Sequence, residues 1–283
     1  MDRFRTALQL HKDLQGHPGA KPPSAKAAGS HEWTSPIVYT STRSLNIPLA
    51  VLRQRRVMAA HDRGPFVDAF KILRTQVLQR LREHDWNVLG VTSPGHGEGK
   101  TLTAVNLAVS LAMETTQTVL LVDANLTQPS VHEVFGLDDR DCPGLTDYLL
   151  DDEPLEDLLV HPGIDRFVLL PGGGAVSNST EILTSPKMLA LVEELKHRYQ
   201  SRIVIFDLPP LLHTADVLAF SPYTDALLLV VEEGKTTAEE VQRAMSLVRK
   251  SHPLLGTVLN KAGQLTATPS SMKKLLSLER EEP

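Results

Sequence analysis

Short apolar runs alternate with amphipathic stretches along most of the chain. The apolar runs are rich in Val, Ile and Leu and lie at residues 88–92, 118–122, 166–170, 202–206, 226–231 and 254–259. Runs that are apolar at every position are typical of parallel strands whose two faces are both covered by helices. We therefore interpret these runs as strands of one mostly parallel sheet.

Stretches with helical periodicity separate the strands. Phe66, Phe70, Leu73, Val77 and Leu81 recur at spacings of three and four residues, which predicts one helix before the first of these strands. Further helical patterns lie at 100–114, 179–199, 214–219 and 236–250. The alternation predicts a doubly wound α/β domain with helices on both faces and ligands at the carboxyl ends of the strands.

The first 60 residues differ from the rest in composition and charge. They are rich in Pro, Gly, Ser and Lys and carry nine Lys/Arg against three Asp/Glu, whereas residues 61–283 carry 20 against 31. We interpret 1–60 as a flexible basic tail, 61–265 as the globular domain and 266–283 as a short C-terminal tail. The basic tail is either a solvated linker or a segment that touches anionic lipid, an acidic partner or the domain itself.

Composition excludes several classes of protein. The chain of 283 residues is 41% apolar, has a net charge of −5 and contains one cysteine, Cys142, which suits a reducing cytoplasm. The acidic charge of the domain argues against nucleic acid as the main partner. No apolar run approaches the 18 residues of a membrane span, and the N-terminus lacks the apolar core of a signal peptide, so we expect a cytoplasmic protein.

The loop after the first apolar run is typical of a phosphate-binding site. It reads Ser93-Pro94-Gly95-His96-Gly97-Glu98-Gly99-Lys100-Thr101 and connects a predicted strand to a predicted helix. Its backbone N–H groups and those of the helix N-terminus, which starts with Lys100, Thr101 and Leu102, are expected to bind ATP phosphates. Lys100 would reach the β/γ-phosphates and Thr101 would bind Mg²⁺. Pro94 stands where the pattern G-x-x-x-x-G-K-[ST] has its first glycine; the alternative is a flexible loop that binds nothing.

Two acidic residues follow later strands. Asp123 comes after four apolar residues of one strand and Asp207 after four of another, so both lie at the edge of the sheet that carries the loop. Two carboxylates there can hold Mg²⁺, or one can accept a proton from an attacking hydroxyl. Each could instead be a helix cap or turn acid. Asn260, after the last strand, is a weaker candidate for contact with the base, and no histidine pair has metal-ligand spacing.

The order of these motifs resembles that of the bacterial tyrosine kinases of capsule and exopolysaccharide synthesis, over roughly residues 64–262. The family loop S-x-x-P-G-E-G-K-[ST] corresponds to Ser93 through Thr101, its D-x-D-x-R-x-P-x-x-H motif to Asp123 through His132, and its D-x-P-P motif to Asp207 through Pro210. A subunit-contact motif, E-x-x-R-x-x-R, corresponds to Asp68-x-x-Lys71-x-x-Arg74. Lys at the middle position lacks the planar fork of Arg, so assembly would be weaker.

The resemblance implies an ATP- and Mg²⁺-dependent protein-tyrosine kinase. Lys100, Asp123 and Asp207 would be catalytic, with Thr101, Asp123 and Asp207 supporting the metal; the nucleotide would lie against Gly95, Gly97, Glu98, Gly99, Lys100, Thr101, Leu102 and Asn260. It also implies a homo-oligomer and a separate membrane protein of polysaccharide chain-length control, through which the kinase would be peripheral at the inner membrane.

Three departures from the family pattern keep two other functions open. Asn125 replaces the second Asp, Thr127 replaces the Arg, and the sequence after Asn260 contains no tyrosine; Tyr39 in the basic tail is the most accessible candidate acceptor. The protein could therefore be a catalytically weak nucleotide-binding regulator. A switch ATPase of the division-site and plasmid-partition class is the other alternative, but its additional lysine would stand at the position of Gly95.

Overall fold

The computed structural model describes residues 42–58, 63–114, 116–138, 142–197, 202–249 and 252–263. The predicted tail 266–283 and the candidate acceptor Tyr39 lie outside these ranges. The strands are β1 Arg43–Ser44, β2 Val88–Thr92, β3 Thr118–Asp123, β4 Val160–His161, β5 Phe167–Leu170, β6 Arg202–Asp207, β7 Ala226–Glu232 and β8 Leu254–Asn260. The α-helices are α1 Leu49–Gln54, α2 Pro65–His84, α3 Lys100–Ala112, α4 Val131–Val134, α5 Leu145–Asp151, α6 Leu155–Leu158, α7 Ser179–Leu183, α8 Pro186–His197, α9 Asp216–Phe220 and α10 Ala238–Arg249.

The strands form one sheet in the order β1-β4-β5-β3-β6-β2-β7-β8. Every adjacent pair is parallel except β4 with β5. The six predicted apolar runs are strands; β2, β3, β5, β6 and β7 are buried because apolar side chains cover both faces of the sheet, whereas β8 at the edge is only partly buried. The prediction of a doubly wound, mostly parallel α/β fold is confirmed.

The helices pack in two layers. On one face, α2 and α3 contribute Val77, Leu81 and Leu107 to a core with alternate side chains of the central strands. On the other face, α8 and α10 contribute Leu191 and Val248 to a second core. Burial of these side chains, at about 25 cal/mol per Å² of apolar surface, is what fixes the strands relative to the helices that follow them.

One predicted helix, 179–199, is wrong in its extent. The structure has two helices there, α7 and α8, with a break at Thr184 and Ser185. The second begins with Pro186, whose ring provides no N–H and clashes with the preceding turn, so it can start a helix but not continue one.

The predicted flexible tail is also wrong for its last part. Leu52, Val57 and Met58 are buried in the first core, and β1 pairs with β4 at the edge of the sheet. The N–H of Met58 donates to Asn106 Oδ1 of α3 at 2.9 Å. Three apolar side chains and a buried hydrogen bond outweigh the low helical and strand propensity of this segment.

The sheet order places three strand ends side by side. β6 lies between β2 and β3, so Asp207 pairs in register with Asp123 on one side and with Val91 on the other. The loop that leaves β2 and the two acids at the ends of β3 and β6 therefore meet at one edge of the sheet.

None of the helices in the described ranges is both long enough and apolar enough to cross a bilayer.

Candidate functional site

The loop between β2 and α3 is shaped by two glycines in left-handed conformations. Gly97 has φ +73° and Gly99 has φ +90°, values that favour glycine because it has no Cβ. Pro94, in contrast, is not among the described residues with positive φ, so its position accepts a ring that fixes φ near −65°. The substitution of Pro for the first glycine of the pattern is thus compatible with the loop.

Six successive backbone N–H groups in this loop and helix are available to a ligand. Within the described part of the chain, the N–H groups of residues 97–102 have no protein acceptor, and the first intrahelical bond is from Thr103 N–H to Gly99 O at 2.9 Å. Such a row of N–H groups at a helix N-terminus attracts anions. The geometry matches the loop predicted from the sequence.

Two residues of the predicted phosphate site have other roles as well. Gly95 N–H donates to the Glu98 carboxylate at 2.8 Å, so this amide is not free for a phosphate. The Glu98 side chain is 3% exposed and also accepts a hydrogen bond from the Thr236 hydroxyl. Glu98 therefore braces the loop with its carboxylate and offers only its backbone N–H to a ligand.

Thr101 and Lys100 both contact Asp207. The Thr101 hydroxyl donates to Asp207 Oδ2 at 2.6 Å, and Lys100 Nζ lies 3.5 Å from the same oxygen. Lys100 Nζ also lies 3.1 Å from Thr101 Oγ1. The other carboxylate oxygen, Asp207 Oδ1, is buried and has no hydrogen-bond partner among the described residues.

Asp123 is held at the N-terminus of α4. Its Oδ2 accepts hydrogen bonds from the N–H groups of Ser130 and Val131 at 2.8 and 2.9 Å, and its Oδ1 accepts one from Asn125 N–H at 3.2 Å. A carboxylate oxygen can accept two hydrogen bonds, so Oδ1 has one position left. Asp123 therefore accepts hydrogen bonds from the backbone of the following turn, as the alternative interpretation predicted, and one position on Oδ1 stays open to a ligand.

Burial raises the pKa of both acids. Burial, followed by the nearby Asp207, raises the pKa of Asp123 to about 7, although hydrogen bonds from Val131 and Ser130 oppose the shift. Burial also raises the pKa of Asp207, against the attraction of Lys100 and the hydrogen bond from Thr101. Two buried acids with raised pKa values at one strand edge make this edge a candidate functional site.

The donor set fits Mg²⁺. The unpartnered Asp207 Oδ1, the Thr101 hydroxyl and the remaining position on Asp123 Oδ1 are all oxygens, which are the ligands that Mg²⁺ prefers. No cluster of three or more His, Cys, Asp or Glu side chains in the described ranges could hold a metal alone. Mg²⁺ takes one or two carboxylates and completes its shell with water and phosphate.

Asn125, which stands where the family pattern has its second Asp, forms hydrogen bonds within a turn. Asn125 Nδ2 donates to Gln128 O at 2.7 Å, and the Thr127 hydroxyl donates to Asn125 Oδ1 at 3.3 Å. These two replacements therefore stabilise the connection between β3 and α4 with neutral groups where the family pattern has charged ones.

Sequence reasoning missed a set of side chains on the outer side of the loop. Lys235 Nζ donates to His96 O at 2.6 Å, and Lys261 Nζ donates to Gly97 O at 2.8 Å. Asn260, predicted to meet the base, donates through Nδ2 to Glu98 O at 2.8 Å. The sequence offered one signal for this set: Lys235 lies shortly after β7, Asn260 ends β8 and Lys261 follows it.

A histidine of the loop, His96, packs against a second histidine, His213. The His96 and His213 rings are 4.7 Å apart between centroids. Burial, then the repulsion of His213, Lys100 and Lys235, lowers the pKa of His96. His96 is therefore neutral at physiological pH, beside the cations Lys100 and Lys235.

The comparisons with known proteins agree with this geometry. A family model described as an AAA domain matches residues 88–259. The tyrosine-protein kinase YwqD of Bacillus subtilis (strain 168) is 33% identical over 209 residues, which cover 73% of this chain and 86% of that protein. For the putative tyrosine-protein kinase EpsB of Ralstonia solanacearum the identity is 28% over 200 residues, covering 69% of this chain but only 26% of that protein.

Two kinds of solved structure share the fold of this chain. The kinase domain of the Escherichia coli tyrosine kinase ETK superposes with a TM-score of 0.66 at 26% identity, covering 82% of this chain and 92% of that one. The division protein MinD of Pyrococcus horikoshii, solved with Mg-ADP, shares the fold with a TM-score of 0.52 at 24% identity, over 67% and 76% of the two chains.

The identity and coverage of the Bacillus relative, together with the loop, the paired acids and the sheet order, place the chain in a family. The chain belongs to the bacterial tyrosine kinases, with a P-loop domain of the AAA type over residues 88–259.

Proposed function

We propose that this chain is an ATP-dependent protein-tyrosine kinase that regulates exopolysaccharide synthesis or export together with a separate membrane protein of chain-length control. The observation that carries the proposal is the contact of Thr101 and Lys100 with a buried acid, Asp207, whose second oxygen is unpartnered, next to Asp123. Membership of the family supports the reaction, and the partner is inferred from that membership alone.

The proposed binding step uses the loop and helix amides. The N–H groups of residues 97–102 would surround the β- and γ-phosphates, and Lys100 would neutralise their charge. Thr101 and Asp207 would hold Mg²⁺, directly or through water, and the charge of Asp123 would support the metal while its Oδ1 stays open to the tyrosine hydroxyl. When bound, the metal would supply the positive charge that neutralises the charge developing on the phosphates during transfer.

The proposed chemical step is proton removal by Asp123. Its carboxylate, with one free position on Oδ1, would orient the tyrosine hydroxyl and accept its proton as the oxygen bonds to the γ-phosphorus. A pKa of about 7 suits a general base that works at neutral pH. Lys100 and the loop amides would stabilise the charge on the leaving ADP.

The described tyrosines are poorly placed as acceptors. Tyr148 is half-buried with its ring 4.6 Å from Lys187 Nζ, and Tyr223 is half-buried against Phe220. Tyr39 remains the proposed acceptor for transfer between copies of the chain. Mass spectrometry after incubation with Mg-ATP tests this, and phosphate only on other residues would exclude it.

The test of the function is labelling of the purified full chain with γ-labelled ATP, with and without the cytoplasmic part of a candidate chain-length protein. We expect phosphotyrosine in the wild type, more of it with the partner, and none in Lys100→Met. Tight binding of Mg-ATP without phosphotyrosine would instead favour a catalytically weak regulator, the function that the replacement of the family's second Asp by Asn125 supports.

A switch ATPase is the third candidate. The shared fold with the division ATPase supports it, but Gly95 occupies the position of that class's additional lysine. Release of inorganic phosphate without labelled protein would favour this candidate over the kinase.

A further inference from the structure

Three consecutive carbonyl groups of the phosphate loop are held by side chains from one neighbouring region. Lys235 Nζ donates to His96 O, Lys261 Nζ to Gly97 O and Asn260 Nδ2 to Glu98 O, at 2.6, 2.8 and 2.8 Å. Lys235 lies in the turn after β7, Asn260 ends β8 and Lys261 follows it. Each donor thus comes from the β7–β8 side of the sheet, and each takes a different peptide group.

The orientation of these carbonyls fixes the direction of three N–H groups. A trans peptide is planar, and its N–H points away from its C=O. The N–H groups of Gly97, Glu98 and Gly99 therefore point away from Lys235, Lys261 and Asn260. These same three amides have no acceptor within the described ranges. The left-handed conformations of Gly97 and Gly99 complete a concave row of donors, which is the form of a backbone anion site.

The remaining three amides do not need side-chain contacts to orient them. The N–H groups of residues 100–102 belong to the first turn of α3, so the helix itself orients them. The peptides of residues 96–99 precede the helix, and the two glycines would otherwise allow them to rotate.

We propose that Lys235, Asn260 and Lys261 are positioning residues that orient the loop amides toward phosphate before the nucleotide arrives. This inference rests on the proposed function, because it assumes that a polyphosphate binds the loop. The ligand class is a magnesium-bound diphosphate or triphosphate, and the three side chains act on it through peptide groups.

The three side chains are themselves held in place. Glu232 lies 2.9 Å from Lys261 Nζ and 3.6 Å from Lys235 Nζ, so one carboxylate pairs with both cations. The Asn260 carbonyl accepts a hydrogen bond from Glu233 N–H at 3.0 Å. Lys261 has φ +55°, a left-handed value that is uncommon for a residue with a Cβ. These contacts hold Lys235, Asn260 and Lys261 in place against the loop.

Direct binding of phosphate by the lysines is the competing explanation. Both lysines are cations, and removing either would weaken phosphate binding by charge alone. Asn260 separates the two explanations because its amide is neutral. If peptide orientation matters, loss of the Asn260 donor weakens binding of an anion that has no base or ribose.

The experiment measures affinities of the full chain for Mg-pyrophosphate, adenosine and Mg-ATP by competition calorimetry. The variants are Lys235→Met, Lys261→Met and Asn260→Leu, with Arg80→Met as a control that removes an exposed charge from α2. We expect each of the three to weaken Mg-pyrophosphate by about three- to tenfold, as for the loss of one hydrogen bond, and to leave adenosine unchanged. Lys235→Arg and Lys261→Arg, which keep a donor, should recover most of the affinity.

The outcomes separate the inference from the proposed function. A wild type that binds no Mg-ATP would overturn both. A wild type that binds, with Mg-pyrophosphate unaffected in all three variants, would overturn the inference alone. Weakening by the lysine variants but not by Asn260→Leu would also overturn it, in favour of direct charge. If Asn260→Leu weakens adenosine only, the amide contacts the base and orients nothing.

Folding is checked in the same series. The thermal midpoint of each nucleotide-free variant should match that of Arg80→Met, and a purely structural role would lower the midpoint and both affinities together. Should Asn260→Leu not fold, Asn260→Ala provides the same test, because it removes the donor to the Glu98 carbonyl without adding charge; we expect the same loss of Mg-pyrophosphate affinity, about three- to tenfold, and an unchanged value would overturn the inference.

Discussion

The hydroxyl of Thr101 and the carboxylate of Asp207 are joined by a hydrogen bond of 2.6 Å that connects the first turn of α3 to the end of β6. Thr101 therefore cannot move without moving the acid. Because the other oxygen of Asp207 is buried without a partner among the described residues, the pair presents one hydroxyl and one free carboxylate oxygen at the same place. This is the arrangement that a hard divalent cation bound to phosphate requires.

Replacing Thr101 should uncouple nucleotide binding from magnesium. Thr101→Val keeps the shape but removes the hydroxyl, so we expect the gain in ATP affinity on adding Mg²⁺ to fall on the order of tenfold or more. Calorimetric titration with ATP, with and without Mg²⁺, measures this. Thr101→Ser keeps the hydroxyl and should retain the gain; an equal magnesium effect in the valine and serine variants would contradict the assignment.

Lys100→Met should abolish tyrosine labelling. Among the described residues the lysine is the cation that pairs with Asp207, and it would neutralise the phosphates during transfer, so we expect a loss on the order of a hundredfold or more. The measurement is incorporation of labelled γ-phosphate over time. Arg80→Met, which removes an exposed charge from α2, is the control substitution and should label at the wild-type rate, and full labelling of Lys100→Met would reject the site.

Asp123→Asn should slow transfer while largely sparing ATP binding. Loss of a general base costs about 10²- to 10⁴-fold in rate. The substitution also sets an amide against backbone N–H donors from Asn125, Ser130 and Val131, so its fold is checked by circular dichroism. Single-turnover rates at saturating ATP give the result, with Asp157→Asn on the surface of α6 as control. An unchanged rate would remove Asp123 from the base role.

The two buried acids should give the nucleotide-free protein a characteristic dependence on pH. A carboxyl with a raised pKa binds its proton more tightly when folded, so its contribution to stability is complete below the ordinary value of 3.8 and is lost as pH rises through about 7. Asp207→Asn removes one charge and lowers the pKa of Asp123. The free energy of unfolding should therefore fall less between pH 5 and pH 8 in the variant than in the wild type.

Urea unfolding of both proteins at several pH values measures that difference. Comparing the two removes the contribution of other groups, such as His161 and His252, whose pKa values are lowered by burial. Parallel curves for wild type and variant would show that the acids do not repel each other in the folded protein.

The central part of the fold and the core of the site could be predicted from the sequence. β2, β3, β6 and β7 are apolar at nearly every position, and burial on both faces leaves them no alternative to a covered parallel sheet. Lys100, Thr101, Asp123 and Asp207 meet because parallel strands end at one edge, and the motif order specified which ends carry them.

What could not be predicted depends on contacts between distant residues. Residues 42–58 have the composition of a linker, and only the positions of α3 and β4 make Leu52 and Met58 part of the core. The donors Lys235 and Lys261 are two lysines among many in the sequence; pairing of β7 with β8 and the left-handed turn at Lys261 bring them to the loop. Local propensity contains no information about either arrangement.

Gly99→Ala should be costly for a reason that combines strain and contact. A Cβ at Gly99 would lie 2.1 Å from Asn260 Nδ2, and the residue would keep φ +90°. The left-handed conformation costs about 1–2 kcal/mol for a residue with a Cβ, and displacement of Asn260 would also release the Glu98 carbonyl. We expect the free energy of unfolding to fall by at least about that amount and Mg-ATP affinity to fall with it.

In the double variant Gly99→Ala/Asn260→Ala the contact is gone but the backbone strain remains, so stability should recover only in part. Gly174→Ala, where an added Cβ would meet nothing within 4 Å, is the matched control and should unfold like the wild type in urea. If Gly99→Ala were as stable as Gly174→Ala, the close approach of Asn260 to the loop would not exist in solution.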